Sequence, residues 1–249
     1  MLTQDKSLSL LRGETMPYAA ARNQPASLTR RSIALLVLAA AALLLTVPAS
    51  LAQEKIKIVA LGDSLTAGYR LAPGEGFPAV LERALHAKGY NNIVLVDAGV
   101  SGDTTSGGLS RLNWALEPGT DGVILELGAN DALRGIDPAV ARSNLDKMLA
   151  QIRARNLPVL LAGMLAPPNL GQAYSQSFNP IYPELAEKHG VLLYPFFLDG
   201  VTTHPHMVLE DGLHPNAKGV VRMVEGILPQ VEKLIAEIEK NKKIEGGGK

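Results

Sequence analysis

From residue 55 onward the chain alternates between short runs that are apolar throughout and longer segments with helical periodicity. Residues 55–61, 93–97, 122–127, 158–162 and 191–194 read as strands. Between them, 77–88 reads as a helix closed by Gly89, and 105–116 as a second. A third helix spans 138–155, with Asp137 as its N-cap and Pro138 at its first position. Residues 172–189 are helical with an interruption near Pro180 and Pro183, and a last helix runs from about Asn216 to Lys240. A strand that is apolar at every position has no face left for water. Such strands, separated by amphipathic helices, imply a parallel sheet covered on both sides. Right-handed crossovers then give an α/β fold, a three-layer α/β/α sandwich around a doubly wound, mainly five-stranded parallel sheet.

The first 52 residues do not share this pattern. Arg30 and Arg31 precede an apolar run over residues 33–45, followed by Pro48, Ala49 and the small-residue ending Ser50-Leu51-Ala52. This is the order of a secretory signal peptide, and the run is short against the roughly 20 apolar residues of a membrane span. Residues 1–52 are therefore expected to be a leader cleaved after Ala52, leaving no stable membrane span and a periplasmic or secreted protein. The long basic region admits Met16 as an alternative start, and Thr29-Arg30-Arg31 resembles a twin-arginine signal. Residues 53–240 are expected to form one domain, and 241–249, ending in three glycines and Lys249, a flexible tail.

The whole chain has 249 residues, no net charge and no cysteine. The leader carries five of the 24 basic and two of the 24 acidic residues, so the remainder has net charge −3. That balance gives no electrostatic reason for a nucleic-acid partner. Without cysteine there are no disulfides, thiolate metal sites, cysteine nucleophile or lipid-anchored N-terminus.

In an open parallel sheet, ligands bind outside the carboxyl ends of the strands. Four polar segments fall there. Ser64, in Gly62-Asp63-Ser64-Leu65, follows the first strand, Gly102 the second and Asn130 the third, while Asp211-Gly212-Leu213-His214 precedes the last helix. A serine between glycines can be a mere turn or helix cap. Here the same chain supplies what a serine nucleophile needs: an imidazole to take its proton and a carboxylate to orient that imidazole. His214 is the best base of the five histidines, since His86 and His189 sit near helix ends, and Asp211 is its orienter. Ser101 is the rival serine and is read as shaping its loop. The N–H groups of Ser64 and Gly102 and the side-chain amide of Asn130 are expected to hold the oxyanion. Asp63 and Asp131 are read as loop-fixing carboxylates.

Together these blocks resemble the SGNH (GDSL) hydrolase superfamily, whose pattern of Ser, Gly, Asn and His is met in order by Ser64, Gly102, Asn130 and His214. The resemblance covers about residues 55–235. It is densest in Gly62–Arg70, Ser101–Thr104, Glu126–Gly135, Ile181–Pro183, Pro195–Phe197 and Asp211–Asn216, and points to the bacterial periplasmic thioesterase, lysophospholipase and arylesterase group. It implies a flavodoxin-like fold, no cofactor, and a small-molecule acyl ester or thioester as substrate. Met164, Leu165 and Pro167 would border the site. Where some relatives carry an arginine, Met164 is apolar, which speaks against a charged headgroup preference.

Two other readings compete. His204 and His206 could join Asp211 and His214 in a metal-dependent hydrolase, though this leaves Ser64, Gly102 and Asn130 without roles. A non-catalytic periplasmic binding module would not need the full set of catalytic groups.

Overall fold

The computed structural model describes residues 54–246; the expected leader lies outside the described residues. Five strands form one sheet: β1 Ile56–Gly62, β2 Ile93–Gly99, β3 Gly122–Glu126, β4 Val159–Ala162 and β5 Leu192–Tyr194. Their order is β2-β1-β3-β4-β5, and every neighbouring pair is parallel. Leu160 and Leu161 are consecutive, so they point to opposite faces, and both are 0% exposed. The inner strands β3 and β4 are thus covered on both sides, whereas the edge strand β2 is only partly buried.

The helices are α1 Ser64–Ala67, α2 Phe77–Ala87, α3 Thr105–Ala115, α4 Ala129–Leu133, α5 Pro138–Arg153, α6 Gln172–Phe178, α7 Ile181–His189 and α8 Ala217–Gly246. One layer pairs α2 with α8, and the other packs α3 and α7 against α5. The helix starts follow local chemistry. Asp137 accepts the N–H of Ala139, with Pro138 at N1, and Thr104 accepts that of Gly107. The segment expected to be broken near two prolines is two helices that part at Asn179 and Pro180. Pro183 fits inside the first turn of α7, where no N–H is needed.

One boundary differs from expectation. Residues 241–246, expected in the tail, continue α8. Lys242 pairs with Asp121 at 2.9 Å and with Glu54 at 3.3 Å, which fastens this last stretch to the domain. Among the described residues no helix is long and apolar enough to cross a membrane.

The order of the strands locates the site. From β1 the chain crosses to β2 on one side of it, then returns to β3 on the other. The connections leave the carboxyl ends of β1 and β3 in opposite directions, opening a crevice between them.

Candidate active site

Ser64 opens α1 directly after β1 and is 7% exposed. Asp63 caps that helix by accepting the N–H of Leu65 at 2.9 Å. The turn is tight enough to demand glycine at 62, where a Cβ would lie 2.0 Å from Thr66 Oγ1 and 2.5 Å from Glu126 Oε2.

Glu126 ends β3 beneath this turn and is 1% exposed. Its Oε2 accepts from the Thr66 hydroxyl at 2.8 Å and from the Asp63 N–H at 3.2 Å, while Oε1 is buried without a partner. Burial, and then the nearby Asp63 carboxylate, push the Glu126 carboxyl well above its usual range. Burial thus disfavours the charged form of Glu126, and of its two oxygens only Oε2 is hydrogen-bonded. Burial also raises Asp63, to about 6, against the hydrogen bonds from Leu65 and Asn130 that favour its charge.

His214 reaches Ser64 from the loop before α8. Asn216 pins that loop: its side chain donates to the carbonyls of His206 and Val208 and accepts the N–H groups of Lys218 and Gly219. Asp211 Oδ1 accepts the N–H groups of Leu213 and His214 at 2.9 and 3.0 Å. Its Oδ2 lies 2.8 Å from His214 Nδ1, and His214 Nε2 lies 3.0 Å from Ser64 Oγ. The bond from the His214 N–H leads the set that holds the Asp211 carboxyl at about 2, so it is ionised and only accepts. Nδ1 of the neutral imidazole must then carry the hydrogen, which leaves Nε2 free to accept from the serine hydroxyl. Tyr69 lies against the imidazole, ring centroids 4.5 Å apart, and restricts its tilt.

Asn130, in α4 after β3, donates one amide N–H to Asp63 Oδ2 at 3.0 Å, leaving the other available. Gly102, after β2, has φ +83°, a conformation suited to glycine. Among the described residues the N–H groups of Ser64 and Gly102 have no protein acceptor. Ser64, Asn130 and His214 open onto a cleft of about 420 Å³ whose lining includes Met164, Leu165 and Pro167, and none of its lining residues is Asp, Glu, Lys or Arg. Met164 is buried, whereas Leu133, Leu165 and Leu213 form a half-exposed apolar rim.

The structure brings together Ser64, Asp211, His214 and Asn130. Ser101 is exposed on its loop. His86 and His189 are not simply solvated at helix ends: they bond to the Ile93 carbonyl at 2.9 Å and to Asp146 at 2.6 Å. His204 and His206 stack edge to face, and among the described residues no three of His, Asp or Glu gather as a metal site, which removes the ligand set of the metal reading. Sequence reasoning missed Glu126, Tyr69, Arg111 and Arg134. For Glu126 a signal existed, as a charged residue at the end of an otherwise apolar strand.

Residues 60–221 match the model of the GDSL-like lipase/acylhydrolase family. An arylesterase of Vibrio mimicus is 41% identical over 182 residues, 73% of this chain and 90% of that protein. The thioesterase 1/protease 1/lysophospholipase L1 of Escherichia coli is 36% identical over 179 residues, 72% of this chain and 84% of that protein. Among solved structures, AlinE4, an SGNH-hydrolase family esterase, is 48% identical with a TM-score of 0.62, covering 72% of this chain and 96% of its own. Fold, sequence and arrangement of the cleft agree, and the chain belongs to the GDSL-like lipase/acylhydrolase family as a serine-type carboxylic ester hydrolase.

Proposed function

We propose that Ser64 is the nucleophile, His214 the general base and Asp211 its orienter, with the oxyanion held by the N–H groups of Ser64 and Gly102 and the free amide N–H of Asn130. The observation that carries this reading is the unbroken relay from Asp211 through His214 to Ser64, at 2.8 and 3.0 Å, opening onto an apolar cleft. As Ser64 Oγ attacks the acyl carbon, its proton passes to His214 Nε2, and the carbonyl oxygen becomes an anion facing the three donors. Collapse breaks the bond to the leaving group, which takes the proton from His214. A water, deprotonated by the same nitrogen, then attacks the acyl-enzyme; the bond from the acyl carbon to Ser64 Oγ breaks, Oγ takes the proton back from His214, and the carboxylic acid leaves. Asp211, charged throughout, stabilises the imidazolium formed in each half.

The acyl chain lies along Met164, Leu165 and Pro167, where no charge opposes it. The leaving group projects past the rim, so the site accepts aryl esters, short-to-medium acyl thioesters and lysophospholipids. Activity names carried by the relatives, arylesterase and thioesterase 1/lysophospholipase L1, support that range. The test is a profile of acyl length and leaving group on purified protein, with and without EDTA. We expect activated aryl esters and thioesters of two to about ten carbons to be cleaved and EDTA to have no effect. Strict preference for one long-chain lipid would sink the open-cleft argument. Loss on chelation with recovery on zinc would overturn the serine mechanism.

We further propose export to the periplasm or the medium, supported by the basic, apolar and small-residue order of residues 30–52. Amino-terminal sequencing of exported protein should begin at or near Gln53. A full-length, membrane-retained product alone would contradict cleavage.

A further inference from the structure

Of the three oxyanion donors, two stand on helices and the third does not. Ser64 begins α1 and Asn130 lies in α4, whereas Gly102 sits in the turn between β2 and α3 and has no side chain to anchor it. The backbone fixes this turn at two points: Val100 N–H donates to the Gly62 carbonyl and Asp103 N–H to the Val100 carbonyl, both at 3.0 Å. Two arginines do the rest. Arg111, on α3, folds back so that Nε–H meets Asp103 Oδ2 at 2.6 Å, Nη1–H the Ala98 carbonyl at 2.8 Å and Nη2–H the Gly62 carbonyl at 2.8 Å. The side chains of Arg111 and Asp103 are each 15% exposed. Arg134, which ends the helix carrying Asn130, donates from Nη2 to the Gly102 carbonyl at 2.7 Å.

We propose that Arg111 and Arg134 are positioning residues that set the Gly102 N–H in register with the other two donors. Arg111 fastens the Gly102 turn to the residue two before the nucleophile. Arg134 fastens it to the helix of Asn130. Neither arginine is among the residues that line the cleft, and the guanidinium bonds described go to the turn and its neighbours. Their effect comes through preorganisation: a donor fixed before reaction stabilises developing charge without first being ordered, and a displacement of about 1 Å can cost about 10²-fold in rate. Arginine suits position 111 because one rigid fork serves three acceptors, which a lysine cannot reproduce. At position 134 there is a single bond, which a lysine can offer.

The inference rests on the Ser64 oxyanion reading, and its test separates the two. Steady-state kinetics on an aryl ester should show kcat of Arg111→Lys lowered by about 10- to 100-fold with KM little changed. Its rate of phosphonylation by a fluorophosphonate should fall in parallel, because that step also builds charge on oxygen. Arg134 is exposed, so Arg134→Gln keeps the test open if Arg111→Lys does not fold. Arg134→Gln should lose about 3- to 10-fold in kcat, with part of the loss recovered by Arg134→Lys. Folded variants that keep wild-type kcat but melt earlier would make the arginines purely structural and overturn the proposal. A rise in KM alone would do the same. Retention of activity by Ser64→Ala would instead overturn the underlying reading.

Discussion

Replacing Asp63 by asparagine should separate stability from catalysis. Asp63 Oδ1 caps Leu65 and Oδ2 holds the Asn130 amide. The substituted side chain could preserve only one of these bonds, since its own amide nitrogen would face either the Leu65 N–H or the Asn130 amide. The bond to Asn130 is the less constrained of the two and should be lost. Freed of Asp63, Asn130 would rotate and withdraw from the oxyanion, an effect on the scale of removing one donor: kcat down by about 10²–10³, KM nearly unchanged. Stability should respond in the opposite sense. Burial raises Asp63 from 3.8 to about 6, so the folded state keeps a proton that the unfolded chain releases. Wild-type stability is therefore lost as pH rises through that window, by about 3 kcal/mol at ~1.4 kcal/mol per unit. The neutral variant escapes this loss but gives up a hydrogen bond worth about 1 kcal/mol. Urea unfolding should find it less stable than wild type at pH 4 and equal or more stable at pH 8. A stability difference independent of pH, or kcat within about threefold of wild type, would refute the reasoning.

Two further outcomes follow from the same geometry. Asp211→Asn should retain the fold, because the residue lies on an exposed loop, yet lower kcat by up to about 10⁴-fold by releasing the imidazole tautomer; circular dichroism and steady-state rates check this, and a loss below about tenfold would contradict it. Leu165→Asp, at the half-exposed rim, should raise KM for an octanoyl ester by about 5- to 10-fold while affecting an acetyl ester little; equal effects on both would move the acyl chain elsewhere.

Much of this was legible in the sequence, for reasons that differ by residue. The strands could be read because burial on both faces leaves them few polar positions, as at the consecutive Leu160 and Leu161. Ser64 and Asp211-Gly212-Leu213-His214 could be read because they punctuate strand ends and loops, where polar residues are chosen for chemistry. Arg111 and Arg134 could not, since an arginine in or just after a helix has the appearance of a solvated charge until the turn it grips is known. The role of Asp63 was legible only in part. A cap follows from its place before α1, but the bond to Asn130 spans 67 residues and depends on the adjacency of β1 and β3. The end of α8 was missed because Asn241-Lys242-Lys243 is polar, and its anchor is an ion pair with the distant Asp121.

The central claim is that Ser64 carries the acyl group. Mass analysis of the protein after treatment with a fluorophosphonate tests it most directly. One equivalent should attach at Ser64, with activity lost in proportion and no attachment in Ser64→Ala. Attachment at Ser101, or an enzyme that remains active and unlabelled, would contradict the account.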